Sequence, residues 1–123
     1  MSELICSMSD PIVLHGDLHH WNILSATREP WLALDPKGVV GEHEYEVGAW
    51  LRNPFPQILE TSNARGFTAR RVDQLVEGLG FDRSRIIAWA FCQAVLAALW
   101  SFEEGSDEYT GWFAWASEIG ALL

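Results

Sequence analysis

The stretch His15-Gly16-Asp17-Leu18-His19-His20-Trp21-Asn22 lies between two short apolar runs, Ile12-Val13-Leu14 and Ile23-Leu24. A third run, Trp31-Leu32-Ala33-Leu34, ends in Asp35. Runs of this length and composition read as strands. The order is therefore strand, polar loop, strand, turn, strand, acid. The two strands that flank the loop are expected to form a hairpin, which would bring residues far apart in sequence to one end. Asp17 stands five residues before Asn22, and Asp35 thirteen residues beyond it. The pattern H-x-D-x-x-x-x-N followed by a later Asp is that of a phosphoryl-transfer loop.

The residue types suit that chemistry. A hydroxyl that attacks a γ-phosphate must be held in line and must lose a proton, and a carboxylate can do both; Asp17 is the candidate base. Mg²⁺ prefers oxygen ligands, which Asn22 and Asp35 can supply. His15 reads as a packing and hydrogen-bonding residue that fixes the loop. The plainer reading makes Asp17 and Asn22 ordinary turn formers. Against it stand the strand before, the strand after and the acid at the end of the next strand.

The segments HGDLHHWNIL and LALDPKGVVGEHEYEVGAW resemble the aminoglycoside phosphotransferases, in particular the streptomycin 6-kinase and hydroxyurea phosphotransferase branch. The specific part of the resemblance covers about residues 11–54. It implies an α+β, mostly helical fold: the C-terminal lobe of a protein-kinase-like fold over residues 1–123, with a small β-hairpin region carrying the catalytic loop. It implies ATP and Mg²⁺ as cofactors, Asp17 as catalytic base, and Asn22 and Asp35 as metal ligands. Glu46 takes the place of a structural acid that supports the loop, where the family more often has Asp. Glu42-His43-Glu44 departs from a commoner Asp-Pro-Ala. The implied activity is transfer of the ATP γ-phosphate to a hydroxyl of an aminoglycoside-like molecule or other secondary metabolite.

The rest of the chain frames this reading. Its 123 residues, 49% hydrophobic, suit one domain. A formal charge of −9 argues against nucleic acid as a partner and suits a cationic acceptor. Cys6 and Cys92 are far apart and read as free thiols. The N-terminus shows no basic, then apolar, leader pattern, and the apolar run at 86–100 is too short to span a bilayer, so no membrane partner and a cytoplasmic location are expected.

The single lysine, Lys37, follows Asp35 in a Pro36-Lys37-Gly38 turn and is a candidate contact for the nucleotide phosphates. No phosphate-covering loop precedes residue 15. Gly78-Leu79-Gly80 reads instead as a helix stop. The expectation is a lobe that lacks its nucleotide-binding partner lobe, is inactive alone and self-associates through the face left uncovered.

Helices are expected at 44–53, at 68–79 capped by Thr68, at about 83–102 capped by Asp82, and at about 109–122. The third is apolar nearly all round and should form the core. Helical spacing assigns Trp89, Trp112 and Trp115 to packing, whereas Trp21, inside the loop, is a candidate ligand contact. Glu103 and Glu104 belong to an acidic cluster that could bind a cationic acceptor; a solvated loop is the plainer reading. Two rival functions follow from the same residues. His15, His19 and His20 around Asp17 could hold zinc in a hydrolase. A lobe without its partner could also persist as a non-catalytic binding module.

Overall fold

The computed structural model describes residues 1–8 and 10–123. Its elements are α1 (Ser2–Cys6), β1 (Ile12–Leu14), β2 (Ile23–Ser25), β3 (Trp31–Ala33), β4 (Val39–Gly41), α2 (His43–Leu51), α3 (Gln57–Glu60), α4 (Ala64–Leu79), α5 (Arg83–Glu103) and α6 (Tyr109–Gly120). A short 3-10 turn, His20–Asn22, closes the loop before β2. The architecture is α+β, mostly helical, with two small antiparallel sheets.

The strands do not pair as the local pattern suggests. β1 and β2, which flank the polar loop, belong to different sheets. β2 pairs with β3, with Ile23 opposite Ala33 and Ser25 opposite Trp31. β1 pairs with β4, with Ile12 opposite Gly41 and Leu14 opposite Val39. The β2–β3 hairpin is thus nested inside the β1–β4 pair. Two connections, residues 15–22 and residues 34–38, run side by side between the sheets. The expected hairpin fails because the loop is too long for a tight turn and the β-branched Val39-Val40 supplies β1 with a better partner.

The helices follow their caps. Asp82 accepts a hydrogen bond from Arg85 N at 2.8 Å and starts α5 where expected. Gly80 ends α4 in the left-handed conformation, φ 72°. The start of α4 differs: Asn63, not Thr68, is its cap, accepting from Gly66 N at 2.9 Å. Gly66 permits this, because a Cβ there would lie 2.4 Å from the Asn63 amide nitrogen. Thr68 is buried inside the helix. The first turn, Ala64-Arg65-Gly66-Phe67, holds a single large apolar residue, too few to show an apolar period.

α5 packs most extensively on α6 and α2. Ile86, Ile87, Ala90 and Ala94 are fully buried with Leu51, Val72, Trp115 and Ile119. The burial is one-sided, since Leu99, Trp100 and Phe102 are exposed. At 21 residues, α5 is the one helix among those described that is long and apolar enough to cross a membrane, where the sequence had counted only the shorter run. The Arg85 guanidinium grips the buried Glu42 carboxylate with Nε at 2.7 Å and Nη2 at 2.8 Å, and Trp89 Nε1 donates to the same group. Arg85 also reaches the carbonyl of Leu4 at 3.1 Å, which ties α1 to the domain.

α2 ends on Arg71, which donates to the carbonyls of Trp50 at 2.7 Å, Asn53 at 2.9 Å and Leu51 at 3.2 Å. A buried cation thus satisfies carbonyls that a helix end leaves open. Burial lowers the Arg71 pKa to about 10.

Candidate active site

The two connections between the sheets are laced together by backbone. Leu34 N donates to Asn22 O at 2.8 Å at one end, and Lys37 N donates to His15 O at 2.7 Å at the other. Asn22 therefore sits beside the residue that precedes Asp35. Asp35 has φ 56°, a left-handed turn that Asp tolerates better than most residues. Gly16, at φ 83°, is required on two counts: its backbone is left-handed, and a Cβ would meet Val39 Cγ2 at 2.6 Å.

Glu46, from α2, receives both backbone N–H groups at the head of the loop, His15 N at 2.6 Å and Gly16 N at 3.0 Å. The His15 ring spans the loop. Its Nδ1 accepts from Asp17 N at 3.3 Å, which leaves the proton on Nε2 to donate to the Leu34 carbonyl at 2.7 Å. Asn22 Nδ2 donates to the Asp17 carbonyl at 2.9 Å. This bond fixes the amide orientation and turns the Asn22 side-chain oxygen away from the backbone, with no hydrogen-bond partner among the described residues.

The Asp17 carboxylate is one-fifth exposed. Arg52 Nη2 lies 3.3 Å from Oδ1 and His19 Nε2 lies 3.7 Å from Oδ2. Arg52 also donates through Nη1 to Gln93 Oε1 at 2.8 Å, and Gln93 Nε2 donates to the Tyr45 carbonyl at 2.7 Å. Burial pushes the Arg52 guanidinium below its ordinary pKa, and the Asp17 carboxylate and then Tyr45 act in the opposite direction. His20 stacks on Trp50 with ring centroids 4.0 Å apart. Burial, then Arg71, then His19 lower its pKa.

Asp17 opens onto a cavity of roughly 360 Å³ whose walls include Lys37, Tyr45, Arg52, Gln93, Trp100 and Trp112. The structure brings Asp17 and Lys37 to this cavity and places Asn22 and Asp35 on the adjoining strand ends. Lys37 Nζ lies 3.3 Å from Asp35 Oδ2, both largely exposed. Glu103 and Glu104 are exposed at the end of α5 and do not line the cavity. Trp21 is 76% exposed and is likewise absent from its walls. Trp89 and Trp115 are buried, as helical spacing suggested. Trp112 departs from that reading: it stacks on Phe55 at 3.5 Å and lines the cavity.

Arg52, Gln93 and Trp100 escaped the sequence reading because nothing local links them to residue 17. The run Leu51-Arg52-Asn53-Pro54 held one available signal, a lone arginine just past the end of a helix whose other charged residues, Glu44 and Glu46, are acidic.

The oxygen donors fit a hard cation better than zinc. The His15 and His19 ring nitrogens already face partners: Trp21 N donates to His19 Nδ1 at 3.2 Å, and His19 Nε2 lies 3.4 Å from the Asn22 amide. Among the described residues no three His, Cys, Asp or Glu side chains converge as metal ligands. The Asn22 side-chain oxygen and the Asp35 carboxylate, whose Oδ2 lies 3.3 Å from Lys37 Nζ, are donors of the kind that Mg²⁺ prefers.

The family model for aminoglycoside/hydroxyurea antibiotic resistance kinases matches residues 1–105. The chain belongs to this family. It is 39% identical over 105 residues to streptomycin 6-kinase of Streptomyces griseus, covering 85% of this chain and 34% of that protein. Identity is also 39% over 105 residues to hydroxyurea phosphotransferase of Kitasatospora aureofaciens, covering 85% and 28%. Streptomycin 3''-kinase of Klebsiella pneumoniae is 30% identical over 105 residues, covering 84% and 40%. The chain thus spans about a third of the length of the curated relatives it matches. No solved structure matches it.

Proposed function

We propose that this chain forms the C-terminal, acceptor-activating and metal-binding lobe of an ATP-dependent small-molecule kinase. The acceptor is a hydroxyl of an aminoglycoside-like or other secondary metabolite. The observation that carries the reading is the Asp17 carboxylate in the wall of a half-open cavity, on a loop whose two ends are fixed by Glu46, His15 and the backbone of residues 34–38.

In this reading an acceptor hydroxyl enters the cavity and hydrogen-bonds to Asp17. Its oxygen forms a bond to the γ-phosphorus, the bond from that phosphorus to the bridging oxygen of ADP breaks, and the hydroxyl proton passes to Asp17. Asn22 and Asp35 would hold Mg²⁺, whose charge offsets that of the phosphates. Lys37 lies on the same side and can approach a phosphate oxygen once it leaves Asp35. Trp100 and Trp112 supply flat walls against which a ring or a cationic group can pack. The acidic chain as a whole favours approach of a cation.

The test is phosphate transfer from ATP with Mg²⁺ and a panel of aminoglycosides. It is run on this chain and on a fusion that adds the remaining segment of a relative. Transfer by the fusion that is lost in Asp17→Asn supports the reading. Turnover that ignores Asp17→Asn overturns it.

A further inference from the structure

Gln93 lies on α5, forty-one residues from Arg52, and is buried. Both ends of its amide are engaged. Nε2 donates to the Tyr45 carbonyl at 2.7 Å, so Oε1 must face Arg52 Nη1, at 2.8 Å. The Arg52 guanidinium is a planar fork. With Nη1 held by Gln93, the direction of Nη2 is set, and it points at Asp17 Oδ1 3.3 Å away.

The space for Gln93 is made by a glycine. A Cβ at Gly48 would lie 2.6 Å from Gln93 Nε2 and 2.7 Å from its Oε1 and Cδ. Gly48 is in the middle of α2, where glycine costs roughly 1 kcal/mol relative to alanine. Its presence there conflicts with helix stability and agrees with the need to seat this amide.

From this geometry we infer that Gln93, seated by Gly48, is a positioning residue that acts through Arg52 to orient the Asp17 carboxylate toward the cavity. The inference rests on the proposed function for what Asp17 does, and on geometry alone for how Asp17 is held. Helix α5 thereby sets the angle of a group on the β1–β2 loop. A buried amide with both partners in place has one orientation, and a forked cation bonded at both tips has little freedom to turn. Arg52 holds one Asp17 oxygen, Oδ1; the nearest side-chain group to Oδ2, His19 Nε2, is 3.7 Å away and beyond hydrogen-bond reach, which leaves Oδ2 to face an acceptor.

Two measurements test this on the full chain. In nitrogen-15 spectra at low temperature, a guanidinium held at both tips shows separate Nη1 and Nη2 signals, and a free one shows a single averaged signal. Arg52 should show the pair in the wild type and the average in Gln93→Ala and in Gly48→Ala. Gly48→Ala touches neither Arg52 nor Asp17 and should raise helix propensity, so loss of the pair there is not general unfolding; circular dichroism checks this.

In the transfer assay, both variants should lower kcat about 10- to 100-fold, the scale of a small misplacement of a reacting group, with acceptor KM changed less than about threefold. Gly48→Ala should have no further effect in a Gln93→Ala background.

An unaltered Arg52 signal pair in folded Gln93→Ala would overturn the inference. So would wild-type kcat in both variants when Asp17→Asn is inactive. If the wild type transfers no phosphate even as the fusion, the proposed function fails. The nitrogen-15 result then decides on its own whether Gln93 positions Arg52.

Discussion

Single hydrogen bonds fix the loop more than packing does. Glu46 alone satisfies two adjacent N–H groups, at His15 and Gly16. Glu46→Ala leaves both unpaired in a partly closed site and should cost about 2–4 kcal/mol, read from the urea midpoint; Glu46→Gln, which keeps one acceptor, should cost less. His20 sets a pH dependence of its own. Its folded pKa is lowered by burial, Arg71 and His19, so the neutral ring is favoured in the native state. Its contribution is then complete above the unfolded value of about 6.5 and is lost as pH falls through that value toward the lower folded one. His20→Phe keeps the stack on Trp50 and cannot titrate. It should flatten the fall in melting temperature over that window relative to the wild type.

Among the elements, α5 couples the core to the site. One face carries Ile86, Ile87, Ala90 and Ala94 into the core, and Gln93 and Trp100 reach the cavity from the same helix. Ala94 is fully buried. Ala94→Asp would bury an unpaired carboxylate at a cost of several kcal/mol, comparable to the whole stability of a domain. The expected outcome is loss of the cooperative melting transition. A soluble variant with the wild-type melting temperature would contradict the burial. Helix periodicity and caps made α5 and α6 legible in the sequence, and Gly80 marked the end of α4. The start of α4 was not legible, because Asn63 caps a first turn without an apolar stripe. The pairing of β1 with β4 was not legible either, since residues 12–14 and 39–41 are joined by contacts that no local pattern encodes.

For the molecule as a whole, charge and apolar exposure compete. The formal charge of −9 favours separation of chains. Val13 and Val40, cross-strand partners in the β1–β4 sheet, are 78% and 66% exposed, and Ile5 and Ile12 are exposed as well. A two-stranded sheet with an uncovered apolar face tends to associate. We expect sedimentation to show concentration-dependent association of the isolated chain, strengthened by salt, which screens the charge. Val13→Thr combined with Val40→Thr should weaken it. Association that weakens with salt and ignores the two valines would point to charge pairing instead.

The sequence by itself determined the family, the loop with Asp17 and Asn22, the acid Asp35 after a strand, and the positions of the main helices. These are readable because loop chemistry, caps and apolar periods act over a few residues along the chain. The tertiary structure decided which strands pair, which tryptophans reach the cavity and what holds Asp17. Trp112 shares the spacing of a core residue, yet it faces Phe55 and the cavity. Gln93 and Gly48 carry no local signature of a site, and Arg52 carries only that of a lone basic residue at a helix end. They line up behind Asp17, Gly48 seating Gln93 and Gln93 holding Arg52, only because α2 packs across α5, and the crossing of two helices is set by the shapes of their surfaces rather than by any pattern along either one.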